Sequence, residues 1–203
     1  LTTKIMASEI PPTCDPLGDE NKLIIANGPL AAAGVSSGGR LSIGGKSPLT
    51  GGAKEANSGG SAADSMAKLG LRAIVLEGKA KEGENYILVI NDEGCSFHDA
   101  TPYKGLGLFA LAEKLYDEYG KDQSLIAIGP AGEQGLYAAG ISISDMFGRP
   151  SRLAARGGLG AVMGTKGVKA IVITKKGSYR YPNLRSEAFI AARKKFNDIV
   201  ANS

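Results

Sequence analysis

The sequence has 203 residues, of which 43% are hydrophobic and 22% charged, and its formal net charge is +4. These values are typical of a globular protein. A membrane-spanning helix requires about 20 consecutive apolar residues, and every apolar run in this sequence is much shorter. Two distant cysteines, Cys14 and Cys95, and the single His98 exclude a CxxC-type metal or redox site, and we expect His98 to be structural.

Taken in chain order, short apolar runs bounded by Gly, Pro or Asn predict strands, and apolar residues at helical spacing predict helices that end at glycines. The expected strands are residues 23–26, 41–44, 73–76, 86–90, 95–98 and 125–128. The expected helices are residues 61–69, 108–119 and 186–200. We expect the last helix to pack on a part of the protein outside this sequence.

A repeat appears when residues 57–76 are aligned without gaps on residues 154–173, because six of the twenty positions are identical. Both copies read as a glycine pair, a short helix, a glycine stop and an apolar strand. Two unrelated glycine-rich units could share this many residues by chance. We favour a duplication, which predicts a pseudo-two-fold domain with paired glycine loops.

Glycine is unusually frequent, at 29 residues, and two glycine pairs lie just before predicted helices. At Gly59-Gly60 and Gly157-Gly158, free backbone N–H groups and the helix dipole would favour an anion. The alternative is that both pairs are ordinary turns. Phosphate-loop and dinucleotide-binding signatures are absent, which argues against a nucleotide ligand.

Two arginines lie beside these glycine loops, Arg40 after Ser-Ser-Gly-Gly and Arg156 directly before Gly157. The guanidinium group is suited to bidentate contact with phosphate, and Asn57 adds an amide at the start of the first loop. Neighbouring carboxylates show no pairing typical of acid–base catalysis, so no catalytic residue is predicted.

Positive charge is concentrated in residues 166–203, which hold nine basic and two acidic residues, a local charge of +7. Nucleic-acid binding is one interpretation of such a segment. Because aromatic residues are not interleaved with the charges, we expect a solvated helix face and neither a nucleic-acid nor a membrane partner. Residues 1–10 lack a secretory pattern, so we expect a cytoplasmic protein, and the missing initiator Met suggests a truncated start.

Five short motifs occur in order and together resemble the N-terminal domain of the tungsten-containing aldehyde ferredoxin oxidoreductases. The resemblance extends from about residue 15 to residue 173, and the joint occurrence is far more specific than any single motif. The motifs are Asp15-Pro16-Leu17-Gly18, Lys46-Ser47-Pro48-Leu49-Thr50-Gly51, Asn57-Ser58-Gly59-Gly60, Gly129-Pro130-Ala131-Gly132-Glu133 and the run from Arg156 to Lys166.

This resemblance implies an α+β fold in which a duplicated two-sheet domain with short helices forms a platform beneath a cofactor. The cofactor would be tungsten or molybdenum bound by two pterins (a bis-molybdopterin), with magnesium joining their phosphates. The backbone carbonyls of Asn57 and Gly157 would be magnesium ligands. Residues that would contact the pterins are Arg40, Asn57, Gly59, Arg156, Gly157, Gly158, Leu159 and Gly160.

The resemblance also implies a boundary, with residues 1–177 as the tungstopterin-binding platform and residues 178–203 as a linker and the first helix of a further domain. Complete members of the family oxidise aldehydes to carboxylates and pass electrons through a [4Fe–4S] cluster to ferredoxin. The cluster cysteines belong to later domains, so this chain alone is expected to be inactive. Remaining partners would be those domains and a second copy in a homodimer. The alternative function is a stand-alone carrier of the pterin cofactor.

Overall fold

Residues 1–202 are described by a computed structural model, in which the apolar runs of the sequence form two β-sheets. The strands are β1 Leu23–Asn27, β2 Leu41–Lys46, β3 Ala53–Ser58, β4 Ala73–Leu76, β5 Tyr86–Ile90, β6 Cys95–Asp99, β7 Gln123–Ala127, β8 Ile141–Ile143, β9 Arg152–Ala154 and β10 Val168–Thr174. The helices are α1 Thr2–Glu9, α2 Ala62–Lys68, α3 Leu108–Tyr119, α4 Pro130–Glu133, α5 Leu159–Thr165 and α6 Glu187–Ala201, with 3₁₀ turns at Thr101–Tyr103 and Pro182–Arg185.

Both sheets contain the same four-stranded unit. The first sheet has the order β3-β2-β1-β4, and the second has the order β6-β5-β10-β7-β8-β9. In each half, a three-stranded antiparallel meander leads through a short helix to a fourth strand, which pairs with the first strand of the meander. Strands β5 and β6 extend the second sheet beyond β10.

The register of the two units is also the same. In each unit the first strand carries an isoleucine that pairs with an isoleucine on both sides. The two triplets are Ile25 with Ile43 and Ile74, and Ile126 with Ile143 and Ile171. This shared topology and register confirm the expected α+β fold with a duplicated, pseudo-two-fold pair of sheets.

The two short helices α2 and α5 pack between the sheets, where Met66 and Met163 are fully buried in the common core. Helix α5 approaches the backbone of residues 129–140 closely, because a Cβ atom at Gly164 would lie 2.0 Å from the carbonyl oxygen of Gly132. On the outer faces, α1 covers the first sheet and α3 covers the second. The fold is therefore layered, with both repeated helices inside.

All the expected strands and helices are present, with small shifts at their ends. Strands β3, β8 and β9 and helices α1 and α4 were not expected. β3 was missed because its sequence, AKEANS, is polar, as suits a strand at the edge of a sheet with exposed side chains. Three residues each in β8 and β9 are too few to show a period.

Packing continues past the expected domain boundary at residue 177. Tyr181 is 6% exposed and belongs to the core, and its hydroxyl donates to the carbonyl oxygen of Leu71 at 3.0 Å. The amide of Tyr179 donates to the carbonyl oxygen of Lys68 at 2.9 Å. The boundary itself stays a prediction, but these contacts attach the chain as far as Tyr181 to the platform.

Within residues 1–202, no helix is both long and apolar enough to span a membrane.

Candidate functional site

Two edge strands, β3 of the first sheet and β9 of the second, contact each other and carry the two glycine loops at their ends. Gly60, just after β3, packs on Ile143 and Ser144, and Ile143 pairs with Arg152 at the start of β9. Gly157, just after β9, packs on Lys54 near the start of β3. Each glycine loop therefore lies at the end of one edge strand and over the beginning of the other.

A cleft of about 450 Å³ opens beside the first glycine loop. Gly59 and Gly60 line it, and its walls are a loop from each half, residues 35–39 and residues 145–147. Its volume lies within the range of about 300–1,000 Å³ that is common for small-molecule sites. Loops of both sheets are needed to form it. We call it the platform cleft.

Arg40 and Arg152 both line the platform cleft. Nε of Arg40 donates to Oδ1 of Asn57, which fixes the guanidinium group against β3. Among the side chains that the structure describes, Arg152 has no hydrogen-bond or ion-pair partner. These side chains retain N–H donors for a ligand.

The two carboxylates in the platform cleft are already hydrogen-bonded to the protein. Oδ1 of Asp64 accepts from the amide of Ala32 at 2.7 Å. Asp145 is buried, which by itself would raise the pKa of its carboxyl group, but hydrogen bonds from Arg149, Phe147 and Ser151 lower that pKa below its ordinary value. The unused N–H donors of the cleft belong to Arg40 and Arg152, and such donors suit an anionic ligand.

Gly59 differs from the other glycines of the predicted site because neither its backbone conformation nor its packing requires a glycine. It lacks the positive φ of Gly60, and a Cβ atom at Gly59 would meet nothing closer than Nη1 of Arg40 at 3.9 Å. The missing side chain leaves open space toward the platform cleft. Close approach of a ligand to the backbone is the remaining reason for a glycine there.

The second glycine loop is explained by packing within the protein. Gly157 and Gly158 have φ of +80° and +71°, and a Cβ atom at Gly158 would lie 2.0 Å from the carbonyl oxygen of Tyr137. A Cβ atom at Gly160 would lie 2.4 Å from the carbonyl oxygen of Gly140, and Leu159 is fully buried in the core. Any ligand contact by these residues would therefore be made by backbone atoms.

The expected anion site at the helix starts stays a prediction, and two of the amides there already have partners within the protein. The amide of Ser61 donates to the carbonyl oxygen of Ser144 at 2.9 Å, and the amide of Gly160 donates to that of Ala139 at 2.9 Å. The Ser61 contact joins the two halves of the fold, and the Gly160 contact lies within the second half. These two amides are therefore not free to bind an anion.

The magnesium prediction meets a competing contact at Gly157. The Oγ atom of Ser47 donates to the carbonyl oxygen of Gly157 at 2.6 Å in a buried position. Magnesium binding at this oxygen stays a prediction, and the ion would share the oxygen with Ser47. Among residues 1–202, no cluster of three or more His, Cys, Asp or Glu side chains is arranged to hold a metal ion.

Arg156 is exposed at the end of β9 and, in the part of the chain that the structure describes, makes no side-chain hydrogen bond or ion pair. It does not line the platform cleft. The structure thus brings Arg40, Asn57 and Gly59 together and leaves Arg156 with the second loop.

Sequence reasoning missed Arg152 and the loop at residues 145–147. Asp145 organises this loop: its Oδ1 accepts from the amides of Phe147 and Arg149 at 2.8 and 2.9 Å. Phe147 is consequently held 84% exposed at the rim of the platform cleft. The sequence Asp-Met-Phe-Gly-Arg-Pro is typical of an Asx-turn, and this pattern could have predicted the loop.

Comparison with known proteins identifies relatives over nearly the whole chain. The family model described as "Aldehyde ferredoxin oxidoreductase, N-terminal domain" matches residues 1–175. The tungsten-containing aldehyde ferredoxin oxidoreductases of Pyrococcus furiosus and Pyrococcus horikoshii are 39% and 40% identical over 98% and 83% of this chain, which covers 32% and 27% of their lengths.

Relatives with other activities are also similar. The aliphatic sulfonate oxidoreductase WOR-like subunit of Pyrococcus furiosus is 35% identical, over 84% of this chain and 28% of its own. Among solved structures, the active-site complex BamBC of benzoyl coenzyme A reductase with 1,5-dienoyl-CoA matches with a TM-score of 0.87 and 30% identity. That match covers 98% of this chain and 29% of the solved one.

Proposed function

The chain belongs to the aldehyde ferredoxin oxidoreductase family as its N-terminal domain, and from this membership we propose that it holds a tungsten or molybdenum bis-pterin cofactor. The observation that carries the proposal is the open space at Gly59, beside the Arg40–Asn57 contact and the free guanidinium group of Arg152. A phosphorylated heterocycle needs open space in which its flat ring system can approach the backbone. It also needs cationic donors for its phosphate. The platform cleft offers both.

Each residue has a distinct role in this proposal. Arg40 and Arg152 bind the phosphate, and Asn57 orients Arg40. Gly59 admits the ring system close to the backbone. When bound, the metal of the cofactor supplies the redox chemistry, and this domain contributes binding and orientation.

The second pterin lies, in this proposal, against the second glycine loop. Arg156 projects from its exposed position as the charged contact, and the segment Gly157, Gly158, Leu159 and Gly160 contributes backbone groups only. The carbonyls of Asn57 and Gly157 are the proposed magnesium ligands. The loops lie at opposite ends of β3 and β9, so two pterins would lie across the same pair of strands.

We further propose that the chain works within a longer oxidoreductase, since it spans about a third or less of the length of the relatives it matches. In that enzyme, a cytoplasmic homodimer, aldehydes are oxidised to carboxylates and electrons leave through a [4Fe–4S] cluster to ferredoxin. Relatives named for aldehydes, for aliphatic sulfonates and for benzoyl coenzyme A share this domain. The domain therefore supplies what such enzymes have in common, and substrate choice arises elsewhere.

The test is the cofactor content of arginine variants in the full-length gene product. Arg40→Ala and Arg156→Ala each remove a charge-assisted hydrogen bond of about 1.5–3 kcal/mol, which corresponds to roughly ten- to hundredfold weaker binding. Tungsten, molybdenum and pterin are measured in the purified proteins by mass spectrometry and by fluorescence of the oxidised pterin. We expect reduced metal and pterin in both.

Arg180→Ala is the matched control, because Arg180 is an exposed arginine whose Nη1 donates only to the neighbouring carbonyl oxygen of Tyr179. It should keep the wild-type content. Unchanged metal and pterin in both Arg40→Ala and Arg156→Ala would contradict the proposed site.

A further inference from the structure

Helix α6 contacts the rest of the domain in an unusual way. It is 15 residues long, and none of its residues is fully buried, although Phe189 is half-buried. Its polar side chains bind the backbone of one short segment, residues 33–36. Nη1 of Arg193 donates to the carbonyl oxygen of Ala33 at 3.1 Å.

Asn197 binds the same segment with both atoms of its amide. Its Nδ2 donates to the carbonyl oxygen of Gly34 at 2.8 Å, and its Oδ1 accepts from the amide of Ser36 at 3.0 Å. A side-chain amide bonded in this way fixes the orientation of the two peptide groups that flank Val35. Val35 itself lines the platform cleft.

The segment that α6 contacts has a backbone that needs external support. Ala32 and Ser37 have φ of 56° and 58°, a left-handed conformation that is uncommon and unfavourable for residues other than glycine. On the inner side, Asp64 of α2 accepts from the amide of Ala32. On the outer side, the side-chain contacts come from α6. Between these supports the loop forms one wall of the platform cleft.

We propose that Asn197 and Arg193 are positioning residues, which hold residues 33–36 in the conformation that closes one wall of the platform cleft. Without them the loop would sample other conformations, and the fraction of molecules with a formed cleft would fall. Ligand affinity falls by the same fraction, because only the competent conformation binds. The nature of the ligand, a phosphorylated pterin, rests on the proposed function, whereas the support of the loop does not.

The first experiment measures the loop directly by amide hydrogen exchange in the full-length gene product. Asn197→Ala removes the partner of the Ser36 amide, so exchange in peptides covering residues 33–38 should become about tenfold faster. Peptides covering β2 should be unaffected. Asn197→Asp keeps the acceptor and loses the donor, so its exchange rate should be intermediate.

Lys195→Ala is the control, because Lys195 is exposed on the same helix and has no side-chain partner within residues 1–202. It should leave exchange unchanged. The unfolding temperature of Asn197→Ala should also remain close to wild type, since α6 buries no residue in the core. Unchanged exchange at residues 33–38 in Asn197→Ala would overturn the proposal.

The second experiment measures the dissociation rate of the pterin cofactor after dilution. Asn197→Ala should release it several-fold faster than wild type, while Lys195→Ala should match wild type. If Arg40→Ala loses pterin but Asn197→Ala releases it at the wild-type rate, the positioning role is refuted although the site stands. If Arg40→Ala and Arg156→Ala both keep full pterin content, the proposed function fails, and faster exchange in Asn197→Ala would still support the positioning of the loop.

Discussion

Two glycine-to-alanine substitutions should separate a glycine required by a ligand from one required by the fold. At Gly59, φ is not positive and the nearest heavy atom to an added Cβ lies 3.9 Å away. Gly59→Ala should therefore leave stability unchanged or raise it by up to about 1 kcal/mol, because alanine restricts the unfolded chain. At Gly160, an added Cβ would lie 2.4 Å from the carbonyl oxygen of Gly140 and 2.8 Å from carbonyl atoms of Ala139.

The cost at Gly160 follows from these contacts. Overpacking costs about 1–3 kcal/mol, and backbone obstacles place this position at the upper end of that range. The higher helix propensity of alanine returns about 1 kcal/mol. We expect Gly160→Ala to lower the free energy of unfolding by about 2 kcal/mol.

The assay compares both variants for stability and for cofactor content. Denaturant-induced unfolding should show a loss for Gly160→Ala and none for Gly59→Ala. Pterin and metal content should fall in Gly59→Ala, because its methyl group occupies space in the platform cleft. A stable Gly59→Ala protein with full cofactor content would refute the ligand role of Gly59, and an unperturbed Gly160→Ala protein would refute the packing argument.

Two further substitutions test how the loops are held. The lowered pKa of Asp145 means that its carboxylate stabilises the fold above the ordinary pKa of 3.8, and that this stabilisation is lost as pH falls through the lower folded-state value. Asp145→Asn should thus be less stable than wild type at neutral pH, with the difference shrinking in acid; a difference independent of pH would contradict this. Lys166→Met should lower the free energy of unfolding by at least about 2 kcal/mol, since each buried acceptor left without a partner costs about 1–3 kcal/mol. The buried ammonium group of Lys166 donates to the carbonyl oxygens of Gly18, Asn21 and Gly78. Chemical denaturation measures this free energy, and a loss below about 0.5 kcal/mol would contradict the prediction.

The fold was largely predictable because the strands and helices of its repeated unit follow from local sequence patterns. Apolar runs gave strands such as β1, and the glycine that stops each repeated helix, Gly70 or Gly167, has positive φ in both copies. The repeat is in fact longer than the aligned segment, since Ile-Ala-x-Gly-Pro occurs at residues 25–29 and at 126–130.

The site was less predictable because its parts come together only in three dimensions. Arg152 belongs to no motif, and it lines the same cleft as Gly59 because β9 contacts β3 across the two sheets. The two glycine loops look alike in sequence but differ in physical origin. Gly59 faces open space, whereas Gly158 and Gly160 fit against backbone atoms. Sequence alone cannot distinguish these cases, because the neighbouring atoms belong to distant residues.

The most direct test of the account is an experimental structure of the full-length gene product purified with its cofactor. We predict pterin density in the platform cleft, between residues 35–39 and residues 145–147, with its phosphate within hydrogen-bonding distance of Arg40 and Arg152. A pterin bound elsewhere, with the platform cleft filled by solvent or by protein, would contradict the central claim.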